Sequence, residues 1–428
     1  MSVCHKHGAA FAVASPGCIA GIRLGMSTSP SFVALTAAAR IASGQAFTVR
    51  VDFRVDDELV FDPDVSIGIS DAVSGASFYA GNLRQMVGAA WLPRGEYRAH
   101  WLCGTLALPA GRYRLVADLW RGQLGPPIKC AVQAFEFEVE GDALVAPLQA
   151  SWQLESLPGT LPIEQLSWQR GDGDWFHRHF DHAAGTVISY MLGNSPLLRG
   201  RILDVGCGDG ITDLGIALRC QPELLVGADP FKGFERLPEI LHANHLPASL
   251  IPACLRFEAV DANALPYDDN SFDVVLSWGS LEHIAGGYDR ALAEIRRVLR
   301  DGGLFFVHPG LFYSDAGSHL SEFSDEPLFH LKKSREALRN FVLNTEPKRM
   351  DRSGHDATPA EYWQWFTELN PITVSGFEKE LRALGFEPWR VALRTVERIE
   401  YTPEIQHYPM QDLATSELYV SAYLRKPA

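Results

Sequence analysis

Arg201-Ile-Leu-Asp-Val-Gly-Cys-Gly-Asp-Gly-Ile-Thr212 decides how this chain is read. A short apolar run ends in Asp204 and Val205, and Gly206, Gly208 and Gly210 then alternate with other residues. A strand that runs into glycines and then a helix lets the backbone pass close to a ligand at the helix N-terminus. The dinucleotide pattern is G-x-G-x-x-G, whereas here Gly210 follows Gly208 with one residue between them. The spacing sets this turn apart from a dinucleotide fold, and the segments downstream must say what it holds.

Glu223-Leu-Leu-Val-Gly-Ala-Asp229 reads as a second strand ending in an acid, with Asp229 placed 19 residues beyond Gly210. A carboxylate that meets a ribose hydroxyl pair stands at roughly a 20-residue offset. A third strand, Leu255 to Val260, ends in Asp261-Ala262. Ser271-Phe-Asp-Val-Val-Leu-Ser277 is apolar enough for a strand buried in a parallel sheet, and it runs into Trp278-Gly-Ser-Leu-Glu-His-Ile284. An amphipathic helix with Leu292, Ile295, Val298 and Leu299 on one face is expected to close at Asp301-Gly302-Gly303, before a strand at Leu304 to Val307.

With these end residues the unit resembles class I S-adenosylmethionine-dependent methyltransferases across about 120 residues, the glycine turn matching their motif I. The resemblance implies an α/β Rossmann-like domain with a mostly parallel seven-stranded sheet and S-adenosyl-L-methionine as cofactor. It carries a cofactor site onto Asp204, Gly206, Gly208, Gly210, Asp229, Asp261, Ala262 and Trp278, with Asp261 and Ala262 against the adenine edge.

The 428 residues, 46% hydrophobic and 21% charged, leave room for two globular domains. A net charge of −14 argues against nucleic acid as the main substrate, because binding phosphates needs a basic face. Seven cysteines without a C-x-x-C pair fit a reducing compartment and no structural zinc. No apolar run reaches the ~18 residues of a membrane span, and Ala9 to Ala14 is too short for a signal peptide. The expectation is a cytoplasmic protein, at most peripheral at the inner face of the cytoplasmic membrane.

Residues 1–141 form a different domain. Phe47, Val49, Val51, Phe53 and Val55 share one face of a period-two run, and Val65 to Ile69, Tyr113 to Leu119 and Phe135 to Glu140 repeat the pattern between Gly and Pro turns. Such strands predict an antiparallel β-sandwich. Ser43-Gly44-Gln45, Pro63 with Val65-Ser-Ile-Gly-Ile-Ser-Asp71, Gly81-Asn82, Leu108-Pro-Ala-Gly-Arg-Tyr-Arg-Leu115 and Phe135-Glu-Phe-Glu-Val139 resemble the carbohydrate-binding C-terminal domain of polysaccharide ABC exporters of the Wzt type. In that family the sandwich binds the end of an O-antigen chain; here it precedes a methyltransferase, with no ATPase. Trp91, Trp101, Trp120 and Tyr79 are candidates to stack on a sugar, or are core. Residues 142–166, with Pro147, Pro158, Gly159 and Pro162, read as a linker, and 167–428 as the methyltransferase domain.

Asp174-Trp-Phe-His-Arg-His-Phe-Asp-His-Ala-Ala-Gly185 looks like the helix that, in the family, lies over the cofactor as a lid. His177, His179 and His182 lack the acid partners and spacing of a metal motif, so no metal is expected. A sugar hydroxyl is a poor nucleophile and needs a base within hydrogen-bond reach. Four histidines follow the strand ends where open α/β sheets bind ligands: His283, His308, His319 and His330. Gly-x-His-Leu and Phe-His-Leu resemble a pattern in glycan-directed methyltransferases, which implies His319 as base, oriented by Asp315 or Glu322, with His330 second. An insertion over about 320–370 carries Tyr362, Trp363, Trp365 and Phe366, to floor an acceptor pocket or to anchor a lid. It also holds a helix start with Thr358 as N-cap, Pro359 at N1 and Glu361 at N3.

The whole reading is an O-methyltransferase for a hydroxyl of a cell-surface polysaccharide or its lipid-linked precursor, as a chain-end cap by analogy. Polysaccharide or glycolipid and the export machinery are the expected partners. A tethered sandwich would raise the local concentration of glycan at the active site. The alternatives are a small-molecule or lipid methyltransferase with a structural sandwich, and a non-catalytic glycan-binding scaffold.

Overall fold

A computed structural model describes residues 29–83, 91–141, 146–162, 175–315, 317–348 and 357–426. The Ala9 to Ala14 run, Asp174 and the two ends of the expected linker lie outside the described residues.

The N-terminal alternation builds nine strands: β1 (Ser31–Thr36), β2 (Arg40–Ala42), β3 (Phe47–Phe61), β4 (Asp64–Asp71), β5 (Ser77–Asn82), β6 (Trp91–Cys103), β7 (Gly111–Gln123), β8 (Gly125–Glu140) and β9 (Ala150–Ser156). They make one sheet in the order β1-β3-β6-β9 and a second in the order β2-β8-β7-β4-β5. The alternating residues of β3 from Phe47 to Val55 are all buried, as are Val65, Ile67 and Ile69 of β4. The two sheets meet through Phe47 on Phe137, with ring centroids 4.9 Å apart, and Tyr79 edge-on to Trp101 at 5.0 Å. Two expectations need correction. The second sheet is mixed rather than antiparallel, because β2 runs parallel to β8. The middle of the expected linker is strand β9, which pairs with β6 and sets Trp152 opposite Trp101; burying Trp152 overrides the proline-rich flanks.

The C-terminal part holds a seven-stranded sheet of β10 (Arg201–Val205), β11 (Leu224–Ala228), β12 (Leu255–Glu258), β13 (Phe272–Trp278), β14 (Leu299–His308), β15 (Phe386–Thr395) and β16 (Thr415–Leu424). The order is β12-β11-β10-β13-β14-β16-β15, parallel except for β16, which runs antiparallel to both neighbours. Chain order reverses between β10 and β13, so a crevice opens beyond their C-terminal ends, where open α/β sheets bind ligands. The glycine turn leads from β10 into helix α1 (Ile211–Cys220), and α2 (Asp289–Val298) covers the sheet with Leu292, Ile295 and Val298 buried. Asp301-Gly302-Gly303 does not close α2 but lies inside β14, because Leu299 is already buried as a strand residue paired with Phe272. The insertion folds around its own core of Leu320, Phe323, Phe329, Leu338, Val342, Tyr362, Phe366 and Leu369. Its helix α3 (Pro359–Glu368) has the expected capping box between Thr358 and Glu361, and Thr373 caps α4 (Val374–Ala383). Among the described residues, no helix is long and apolar enough to cross a membrane.

A helical segment over residues 175–191 joins the two parts, α-helical at Trp175–His177 and wound as π-helix over Arg178–Ala183 and Thr186–Met191. It packs on α1 at Gly215, where a Cβ would sit 2.4 Å from the Phe180 carbonyl oxygen, so only glycine allows the approach. The buried Asp181 carboxylate accepts hydrogen bonds from Trp91 Nε1 of β6 at 2.6 Å, from His177 Nδ1 at 3.1 Å and from the guanidinium of Arg219 on α1. Arg219 also lies over the Phe61 ring of β3, 4.1 Å from its centroid, and donates to the Phe180 carbonyl at 2.8 Å. One carboxylate thus ties the first β-sheet, the connecting helix and the first helix of the Rossmann-like part.

Candidate active site

The glycine turn has the backbone that its residues allow and little else would. Gly206, Gly208 and Gly210 have φ of 83°, 56° and 75°, all in the left-handed region. A Cβ on Gly206 would strike Ser280, and one on Gly210 would strike Phe257, while the space beside Gly208 is open. A cradle closed from below by Ser280 and Phe257 and open at Gly208 suits a ligand laid along the turn. Asp229, at the end of β11, accepts from the Gly208 amide at 3.1 Å and from the Phe231 amide at 2.8 Å, so it clamps the turn to the second strand. Each carboxylate oxygen has a second lone pair for a ribose hydroxyl. Asp261 caps the short turn Ala262–Ala264 by accepting from the Asn263 amide at 2.9 Å, which places Asp261 and half-buried Ala262 at the end of β12. These residues fit S-adenosylmethionine.

Above the turn, Trp175 Nε1 donates to Asp209 Oδ2 at 2.7 Å and its ring packs on His179, 4.0 Å between centroids. The segment 175–191 is therefore latched to the glycine turn itself. His177 is held by Asp181, and His179 Nδ1 meets the Trp175 carbonyl at 2.9 Å.

Asp204 plays a different part from the one expected. It is buried and faces Asp213, which is fully buried on α1. Desolvation pushes Asp204 up to about 6 and raises Asp213 well above the ordinary carboxylate range. Asp204 Oδ1 and both Asp213 oxygens meet no protein donor, so their hydrogen-bonding needs are met when one proton is shared between the two carboxyls. The pair lies beneath the turn rather than in it. Asp213 could have been noticed as an acid inside an otherwise apolar helix start, Ile211-Thr-Asp-Leu-Gly-Ile216. Cys207 is inert: burial first, and then the nearby carboxylates, raise its thiol far above the ordinary range.

Beyond the ends of β13 and β14 lie the residues expected to serve the acceptor. Trp278, expected at the cofactor, packs its ring among Phe306, His308 and Tyr419 at 5.1–5.6 Å. His308 stacks on Tyr419 at 4.3 Å and its Nδ1 meets the Leu418 carbonyl; burial lowers its basicity. His319 does reach the mouth, half-exposed, with φ of 51°. The carboxylate beside it is Glu282, whose Oε1 stands 4.0 Å from His319 Nε2, while the Gly310 amide holds Oε2 at 2.9 Å. Of the expected orienting acids, Asp315 faces another partner. Asp315 is turned to the Leu328 amide and its carboxyl is raised by burial, and the buried Glu322 carboxylate accepts from the Ser321 hydroxyl at 3.4 Å. Glu282 was missed because Leu281-Glu-His-Ile284 gives no periodic or spacing signal that the acid faces the mouth.

His330 is not a second base. It is buried, donates from Nε2 to the Phe312 carbonyl at 2.9 Å, and burial lowers it to about 4, so it stays neutral as a packing residue. The aromatic cluster of α3 anchors the insertion: Tyr362 and Phe366 are in its core and only Trp365 is exposed. The candidate sugar platforms are likewise packed. Trp91 and Trp101 are fully buried, Tyr79 lies against Trp101, and Trp120 is covered by Lys129 at 4.7 Å. Among the described residues, one group of three ligating side chains converges, Glu282, His283 and His319.

A family model described as "Methyltransferase domain" matches residues 203–307, from the middle of β10 to the end of β14. Fold, glycine cradle and this match define the class, an S-adenosylmethionine-dependent methyltransferase. The chain is similar to a phthiotriol/phenolphthiotriol dimycocerosates methyltransferase of Mycobacterium ulcerans, 28% identical over 46% of this chain and 70% of that one. A counterpart of that name from Mycobacterium tuberculosis is 36% identical over 35% of this chain and 48% of its own. A ubiquinone biosynthesis O-methyltransferase of Sinorhizobium medicae is 33% identical over 26% of this chain and 42% of its own. The chain thus spans less than half the length of the latter two relatives.

Proposed function

We propose that this chain is an O-methyltransferase whose acceptor is a sugar hydroxyl of a cell-surface polysaccharide or its lipid-linked precursor, worked on at the inner face of the cytoplasmic membrane. The observation that carries the hydroxyl is the pairing of His319 with Glu282 at the mouth beyond β13 and β14. S-adenosylmethionine supplies a methyl group activated on sulfur. An alcohol must lose its proton as the new bond to carbon forms, and an imidazole is matched to that task. His319 Nε2 takes the proton, and the carboxylate of Glu282 stabilises the imidazolium so formed. Trp278, His308 and Tyr419 wall the side on which the acceptor lies, and the latch of Trp175 on Asp209 keeps water from the turn. The glycan rests on the likeness of the N-terminal strands to an exporter's carbohydrate-binding domain, and on the first of its sheets being tied to the connecting helix through Asp181.

A second reading, a lipid or small-molecule acceptor, is favoured by the names of the similar enzymes, which act in dimycocerosate and ubiquinone chemistry. Methyl transfer from labelled S-adenosylmethionine separates the two when the full chain is given surface polysaccharide and total lipid extract in parallel. Label in the polysaccharide is expected. Label confined to glycan-free lipid would replace the first reading with the second.

A further inference from the structure

Glu282, His283 and His319 each present one ligand atom, and the three atoms lie within 4.8 Å of one another. A base and its orienting acid account for two of these groups and leave the convergence of the third without a role. Glu282 is only 3% exposed, and a buried carboxylate is costly unless a cation compensates it. The Gly310 amide satisfies Oε2, but Oε1 stands 4.0 Å from His319 Nε2, beyond hydrogen-bond reach. The chain is closed tightly on this carboxylate: a Cβ on Gly310 would sit 2.4 Å from Oε1, and the Asn370 amide holds the Glu282 carbonyl at 2.7 Å. Bracing of that kind orients a metal ligand as well as a catalytic acid. His319 adopts φ of 51°, a conformation costly for a bulky residue, to bring its ring over the mouth. His283, from the turn after β13, meets that ring edge-on with centroids 4.6 Å apart.

We infer that Glu282, His283 and His319 form a divalent transition-metal site, and that an ion held there excludes proton transfer at His319. Two imidazoles and one carboxylate select zinc and its neighbours over magnesium or calcium, which prefer all-oxygen shells. Ligand bonds of about 2.0–2.2 Å require the three atoms to draw in by less than roughly an ångström, a movement open to the exposed His283 and the half-exposed His319. An ion on His319 Nε2 takes the lone pair that the acceptor's proton needs, so the filled site is silent and the metal-free site turns over. Only this consequence rests on the reading of His319 as base; the binding itself does not.

The test uses the full chain, stripped with chelator and titrated with zinc against a chromophoric chelator, without acceptor or cofactor. One tightly bound equivalent is expected, with affinity at least tenfold weaker in His283→Ala and no competition from magnesium. The turnover that stripped His283→Ala retains should need at least tenfold more zinc for half-inhibition than that of the parent. Affinity unchanged in His283→Ala, or methyl transfer that rises when zinc is returned to stripped enzyme, overturns the inference. Zinc binding as described alongside normal turnover of His319→Ala would remove the base and leave the metal site standing.

Discussion

Replacing Asp181 by Ala should be among the most damaging single changes outside the glycine turn. Asp181 is 9% exposed and accepts from three donors that belong to three parts of the fold. The worst consequence is what it strands: Arg219, largely covered between the Phe61 and Phe180 rings with 18% of its side chain exposed, its basicity already lowered by burial and sustained first by Asp181. Breaking a buried pair by removing one partner costs about 3–5 kcal/mol. The loss of the bond from Trp91 Nε1 adds about 1–3 kcal/mol for an indole donor left unsatisfied. Arg219→Met alone leaves Asp181 with Trp91 and His177 and should cost less. The double variant removes the stranded charge and keeps an apolar side chain between two rings, so it should be more stable than Asp181→Ala by about 2 kcal/mol or more. Urea denaturation of the four proteins, followed by tryptophan fluorescence and far-UV circular dichroism, reads the cycle. An Asp181→Ala variant within ~0.5 kcal/mol of the parent, or strict additivity in the double, would refute the account of Asp181 as the tie between the two parts.

Three further outcomes follow from the site. Asp204 and Asp213 titrate above the carboxylate range in the folded chain, so the fold holds protons that the unfolded chain releases above its ordinary value of 3.8. Stability from this pair is therefore full below that value and lost as pH rises through about 6 and beyond. Asp213→Asn keeps the shape, gives Asp204 an amide donor and removes the like charge; it should raise the melting temperature at pH 8 more than at pH 5. An equal change at both would mean that the pair is not sharing a proton. His319→Ala should lower turnover by about 10²–10⁴-fold and leave S-adenosylmethionine affinity, measured by calorimetry, unaltered. Glu282→Gln should lower turnover by a smaller factor with a shifted pH profile, and a loss of cofactor affinity in either variant would point to a structural role instead.

Much of the fold was legible because its signals are local. Alternation at period two placed Phe47 to Val55 correctly on a buried face, and glycines at left-handed positions are visible as glycines. The offset from Gly210 to Asp229 is a property of one βαβ unit, and Asp229 ends the second strand with the Gly208 amide on its carboxylate. The misses have a common cause. Residues 150–156 became a strand because β6 offers an edge and Trp152 a partner in Trp101, neither of which lies nearby in the chain. His330 resembled a base in its tripeptide, yet packing against Phe312 buries it.

From the sequence alone came the class of ligand and its cradle, since backbone conformations that only glycine adopts easily are written in residue identity. Tertiary structure decided which charges meet. Asp204 found Asp213, His319 found Glu282 across 37 residues of chain, and Asp181 found both Trp91 and Arg219. Such pairings depend on distances of a few ångströms that chain order does not fix, and the low dielectric around the buried ones exists only once the chain has packed about them.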